Sequence, residues 1–248
     1  MNVKKLGECC IFSSGGTPPK DKVKYWKGSI PWFSPKDIKS FDLANAQDKI
    51  TEEAIAESTT QLIDAGTILV VARSGVLAHT LPAGIVRQPS AFNQDIKAIV
   101  PNEGIDAEFV ALYLLAQQRR LLSEGVKRGP TVHSLVSGYL EDFEIPDVSL
   151  DEQRLIATRL KAQLAEVETA RQAAQVQVRE SRLLRRKIID DAFDGFPENQ
   201  PIAEVAKLQS GYAFKSEDFK TSGIRLLRNT NILPGRVYWD DAVCLDEA

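Results

Sequence analysis

Between Ser149 and Phe193 the chain has neither glycine nor proline, and Ala, Leu, Glu, Gln and Arg dominate. These are strong helix formers, so the segment predicts one continuous helix. Ser149 followed by Glu152 has the form of a capping box. Gly195 and Pro197 stand where the helix must stop, soon after the basic Arg185-Arg186-Lys187. At about 1.5 Å per residue the helix is roughly 65 Å long. An ordinary globular helix has about 10–14 residues, so this one needs a partner. Leu160, Val167, Ala174, Ser181 and Ile188 recur every seven residues, with Leu164 and Val178 four residues after members of that series and Leu184 three after. Arg171 and Arg185 interrupt the seam, which makes it an imperfect heptad. The expected interface residues are Leu160, Leu164, Val167, Ala174, Val178, Leu184 and Ile188, facing a long helix of this chain or of a second copy.

The residues before the helix read as a mixed α+β domain. Thr67–Val71 and Ile96–Val100 are short branched apolar runs with strand character. Glu108–Leu122 has helical spacing, with Asp106 as its cap and Gly125 beyond its end. Ser13–Pro19 and Lys127–Pro130 read as loops. After the helix the opening of the chain returns. Leu6–Cys10 lines up with Ile202–Ala206, Ser14-Gly15 with Ser210-Gly211, Ile30–Ile38 with Ile224–Ile232, and Glu53-Ala54 with Glu247-Ala248. The expected organisation is therefore a first domain over 1–148, a spacer helix over 149–194, and the shortened beginning of a second copy over 195–248.

Over 248 residues, 31 Lys and Arg face 34 Asp and Glu, which excludes a generically basic nucleic-acid coat but not a local positive face. Residues 1–39 hold eight lysines against Glu8, Asp21 and Asp37; residues 40–66 reverse the sign with six acids against Lys49. This is either a positive front end or an ordinary solvated lysine surface. No P-loop, GxGxxG, GxSxG or glycine-rich methyl-donor loop is present, so no catalysis and no cofactor are expected. Cys9, Cys10 and Cys244 read as reduced buried thiols, and with only His79 and His133 beside them no metal site is expected. The apolar runs are too short to span a bilayer, and MNVKKLGECC lacks the apolar core of a secretory signal; the expected location is the cytoplasm.

Several polar loops carry positive charge. Ser14, Gly15 and Gly16, then Lys20, Lys22 and Lys24, suit a phosphate-facing loop with free backbone N–H groups. Lys36 follows Trp32, whose plainer role is a hydrophobic staple beside a turn. Arg73-Ser74 follow a strand directly and could aim a guanidinium at a guanine edge; a hairpin turn with a surface arginine is the alternative. Lys127, Arg128, Thr131 and His133 form a second basic, glycine-containing loop. Together these thirteen residues are the candidate DNA contacts, the lysines for phosphates and Arg73, Ser74, Arg128 and His133 for bases.

The layout resembles the specificity subunit of type I restriction-modification systems. The resemblance rests on Ser14-Gly15-Gly16-Thr17-Pro18, Ile30-Pro31-Trp32, Asp37-Ile38, Gly66–Val70 with Arg73-Ser74-Gly75, and Thr131–Leu135. Its most specific stretch is Phe143-Glu144-Ile145-Pro146 leading to Leu150-Asp151-Glu152-Gln153-Arg154. It implies two target-recognition domains joined by two long antiparallel helices, each domain reading one half of a split double-stranded DNA target. It also implies modification (methyltransferase) subunits clasping the helices, a separate restriction/translocase subunit, and no active site in the specificity chain itself. This chain departs from that plan in its second recognition domain and second helix. The departure suggests either a homodimer through Ser149–Phe193, reading a palindromic split target, or an inactive remnant. A coiled-coil scaffold whose head binds protein rather than DNA is the competing reading.

Overall fold

The computed structural model describes residues 2–194, 201, 204, 206–207 and 209–246. The expected helix stop at Gly195 and Pro197, and the repeat's matches at 202, 203, 205 and 247–248, lie outside the described residues. The glycine-free segment forms a single helix, Leu150–Phe193. Ser149 caps it: its Oγ accepts from the Glu152 N–H at 3.3 Å and its carbonyl from Gln153 at 2.9 Å. The chain divides into two compact units, Met1–Val178 and Arg179–Ala248, with the boundary inside this helix.

The first unit is α+β. A five-stranded sheet runs in the order Cys10–Ser14, Ile96–Pro101, Ile68–Val71, Ala83–Val86, Asp42–Leu43. Ile68–Val71 is an unbroken apolar run because both of its faces are covered. A four-stranded sheet, in the order Asp48–Ile50, Ile30–Phe33, Ser90–Phe92, Leu62–Ile63, packs a smaller cluster around Tyr25, Trp32, Ile50 and Ala91. Val3–Lys5 pairs antiparallel with Glu144–Pro146, which ties the chain's start to the segment entering the long helix.

The helix expected over Glu108–Leu122 is two helices, Ala107–Ala116 and Gln118–Glu124. Asp106 does cap the first, accepting from the Phe109 N–H at 2.8 Å. The break at Gln117 needs no glycine or proline; its N–H is shared between the Tyr113 and Leu115 carbonyls. The next side chain, Gln118, leaves the helix direction to accept from Thr80 Oγ1 at 3.3 Å. Such a tertiary contact leaves no local signal in the sequence.

The second unit has local features like those of the first at aligned positions. Ser34 and Asp37 enclose a 3-10 turn in which the Asp37 carboxylate accepts from the Ser34 N–H at 3.0 Å. At the aligned positions, Asn231 Oδ1 accepts from the Arg228 N–H at 3.1 Å around the 3-10 turn Asn229–Asn231. Ile30–Phe33 pairs antiparallel with Asp48–Ile50, and Ile224–Arg225 pairs likewise with Cys244–Leu245. In this unit Ile232–Leu233 and Arg236–Val237 make a hairpin, turning at Pro234-Gly235, where Gly235 has φ 78°. Ile224, Leu227, Ile232 and Tyr238 stay exposed.

Candidate nucleic-acid interface

The buried strand Ile68–Val71 delivers Arg73 to the surface through Ala72, whose N–H and that of Arg73 both donate to the Asp95 carbonyl, at 2.8 and 2.9 Å. There Arg73–Ser74 becomes the edge of a three-stranded antiparallel sheet completed by His133–Leu135 and then Val126–Lys127. The two basic loops, far apart in sequence, thus meet. Ser134 stands opposite both Arg73 and Lys127, and His133 stands opposite Ser74. Directly paired residues share a face and neighbours alternate. Arg73, Ser134 and Lys127 therefore form one outward row, while Ser74, His133 and Leu135 turn to the inner face, where Leu135 joins the core. The Leu135 N–H donates to the Ala72 carbonyl at 2.8 Å, so this ledge is fixed to the main sheet. The loop 128–132 closes the hairpin and leaves Arg128 and Thr131 exposed. Gly129 packs so close that a Cβ there would lie 2.4 Å from the Val132 carbonyl oxygen.

Two of the expected base readers are only partly open. The Ser74 hydroxyl accepts from the Val76 N–H at 3.3 Å as the cap of the turn Gly75–Ala78, with its O–H still able to donate. His133 lies on the inner face, and its Nδ1 is buried without a hydrogen-bond partner. Ser134, half-exposed like His133, differs in standing on the outward row between the two cations. Strand alternation from buried Leu135 was the signal for it.

The glycine loop is also corrected. Gly16 is buried, and its N–H donates to the Phe92 carbonyl at 2.9 Å, so it offers nothing to a phosphate. Gly15 is glycine because a Cβ would stand 2.1 Å from that same carbonyl oxygen. The Gly16 carbonyl accepts from Trp32 Nε1 at 3.0 Å, which makes Trp32 part of the scaffold. Ser14 is exposed and accepts from Lys97 Nζ at 2.7 Å; Lys97, on the strand paired with Ser14, is a cation that charge counting along the loops passed over. The register Ser14–Lys97–Val70 puts this loop at the end of the five-stranded sheet from which Arg73 emerges.

The lysine-rich front is not a free positive surface. The acidic segment that follows it in sequence folds against it. Lys24 pairs with Glu53, Lys36 with Asp48 at 3.0 Å, and Lys22 with Glu57 at 3.8 Å. Lys22 also donates to the Tyr25 hydroxyl at 2.7 Å, and that bond, with Glu57 nearby, holds its pKa above the ordinary lysine value. The Tyr25 hydroxyl in turn donates to Glu57 and is the main reason its carboxyl sits low. Lys20 lies beside Trp26 and Asp48 in an open cleft.

Along the long helix, Leu160, Leu164, Val167, Val178, Leu184 and Ile188 are all exposed, as is Ala174. All three cysteines are free and buried. Among the described residues no cluster of His, Cys, Asp and Glu could hold a metal ion, and no helix is long and apolar enough to cross a membrane.

The sequence profile of the type I restriction modification DNA specificity domain matches residues 1–177, the whole first domain and most of the long helix. The chain belongs to the type I restriction-modification specificity family. The Type I restriction enzyme EcoR124I/EcoR124II specificity subunit of Escherichia coli is 39% identical over 154 residues, 62% of this chain and 38% of that protein. The MjaIX specificity subunit of Methanocaldococcus jannaschii is 32% identical over 166 residues, 64% of this chain and 36% of that protein. The matches thus span under two-fifths of those relatives. Among solved structures, the HsdS subunit from Thermoanaerobacter tengcongensis aligns with a TM-score of 0.57 at 19% identity, covering 78% of this chain and 45% of that one. A chain from a structure of type I R-M complex assembly and conformational transition gives 0.63 at 18% identity, over 78% and 46%. At such identity they establish a shared fold, the α+β head with its long helix.

Proposed function

We propose that residues 1–148 bind double-stranded DNA sequence-specifically, as the recognition part of a non-catalytic type I specificity subunit acting in the cytoplasm. The observation that carries this reading is the outward row Arg73–Ser134–Lys127 beside exposed Arg128. A guanidinium on a braced strand has the geometry for a guanine edge, and lysine suits a phosphate. Arg73 and Lys127 stand two strand spacings apart, roughly 10 Å, far enough to engage a base and a backbone phosphate at once. Ser14, Lys97 and Thr131 supply further polar contacts near that row, and Lys20 one from the cleft beside Trp26. The paired lysines 22, 24 and 36 contribute less, because each brings its own carboxylate.

The helix 149–194 is then the spacer, on which methyltransferase subunits dock and to which a restriction/translocase subunit is added, with 195–248 as the start of a second recognition domain. Its exposed seam at Leu160, Leu164, Val167, Ala174, Val178, Leu184 and Ile188 favours a homodimer, since an amphipathic helix this long stabilises itself by covering its stripe. A titration of the full chain with its methyltransferase subunits against random duplex, across a salt series, tests the reading. Affinity should fall linearly on logarithmic axes. Binding that is absent or indifferent to salt would point to the scaffold reading instead.

A further inference from the structure

The motif that opens the long helix has a use that neither its capping nor its heptad explains. Gln153 is 1% exposed, on a helix that is open to solvent from residue 162 on. Its Oε1 accepts from the Asp106 N–H at 2.9 Å, and its Nε2 donates to the carbonyls of Val148 at 2.9 Å and Gly104 at 3.3 Å. Burying an amide is costly unless its bonds are made; here both donors and the acceptor are used. Gly104 presents its carbonyl from a left-handed turn at φ 84°, and Asp106 simultaneously caps the helix Ala107–Ala116. One side chain therefore binds the start of the long helix to the start of a core helix.

Two further points lie on the same face, four and eight residues on. Ala157 is buried, which lets the helix approach. Lys161 donates to both oxygens of Glu108, at 2.8 and 2.9 Å, and Glu108 also accepts from Arg87 at 2.8 Å. Apolar packing alone leaves slack at this foot: a cavity of about 80 Å³ remains between Phe109, Tyr113, Ile156 and Leu160. Slack matters because the helix is a lever. From Gln153 to its end it measures roughly 60 Å. A base pair rises about 3.4 Å, so a tilt of about 3° at the foot shifts the far end by one base pair.

We propose that Gln153 is the positioning residue of the recognition head, fixing the direction in which the spacer helix leaves it and so the spacing at which DNA is read. The DNA consequence rests on the function proposed above; the joint itself does not.

The joint is tested by pulsed electron resonance on the full chain, spin-labelled at Glu52→Cys and Glu166→Cys and diluted with unlabelled protein. The native cysteines are buried, so labelling is directed to the introduced ones. Expected is a narrow single distance for the parent and a distribution roughly twice as wide or wider for Gln153→Leu. An unchanged width in a folded Gln153→Leu overturns the proposal. Should that variant fail to fold, Gln153→Glu, which keeps the acceptor for the Asp106 N–H and loses both donors to the Val148 and Gly104 carbonyls, decides in the same way. In the DNA arm, preference between targets whose spacers differ by one base pair should be lost while affinity for a single half-site persists. Failure of the parent to bind DNA would count against the function and leave the distance result to decide the joint.

Discussion

The neutralised front and the open ledge make opposite demands on the salt dependence of DNA binding. Consider two variants of the full chain. Lys127→Ala with Arg128→Ala removes two exposed cations for which no ion pair is found among the described residues. Replacing Lys22, Lys24, Glu53 and Glu57 by Ala removes two cations together with the two carboxylates that face them. Each phosphate neutralised by a lone cation contributes about 0.9 to the slope of log affinity against log salt. The ledge variant should therefore flatten the slope by about 1.8, a change worth about 12-fold in relative affinity between roughly 50 and 200 mM salt. The front variant should leave it unchanged, because a pair with no net charge releases no counterion. Both should fold, since exposed pairs contribute about 0–1 kcal/mol each; thermal melts check this, and fluorescence anisotropy on a labelled duplex reads the slopes. A front variant that flattens the slope as much as the ledge variant would refute the reasoning.

Other expectations concern the scaffold and the helix. Gly15→Ala should lower stability by about 2–3 kcal/mol in denaturant melts, because the new methyl meets backbone oxygens rather than a movable side chain. Burial acts to raise the Glu108 pKa, but hydrogen bonds from Lys161 and Arg87 outweigh it and hold the carboxyl below its ordinary 4.5. A depressed pKa stabilises the fold fully above the unfolded value and loses that contribution as pH falls through the folded one. Glu108→Gln should accordingly flatten the acid limb of the melting curve below pH 4.5 and leave its pH dependence near neutrality alone. Leu164→Glu with Val178→Glu should convert the proposed dimer to a monomer by light scattering without moving the head's melting transition.

Much of this architecture was legible where local chemistry decides it. The absence of Gly and Pro across 149–193, with Ser149 at its head, specified the long helix, and Asp106 marked the start of another. The aligned segments Ile30–Ile38 and Ile224–Ile232 share one local feature, a capped turn at Ser34–Asp37 and at Arg228–Asn231. What sequence could not supply was contact between distant segments. The lysines of 20–36 read as a positive front only until residues 48–57 folded onto them. Gly15-Gly16 read as a phosphate loop because glycines that release N–H groups look the same as glycines that admit a neighbouring carbonyl. The clamp at Gln153 depends on partners far along the chain. The pairing of Arg73 with Lys127 across Ser134 was beyond reach for the same reason.

The central claim is that the ledge reads sequence. Selecting bound duplexes from a randomised pool, with the parent chain and with Arg73→Ala, each alongside the methyltransferase subunits proposed as its partners, and sequencing them is the test. An enriched motif is expected for the parent and, for Arg73→Ala, loss of preference at one base pair by about 1–3 kcal/mol, roughly 5- to 160-fold, with the rest of the motif intact. An unchanged motif, or one that weakens evenly at every position, would contradict it.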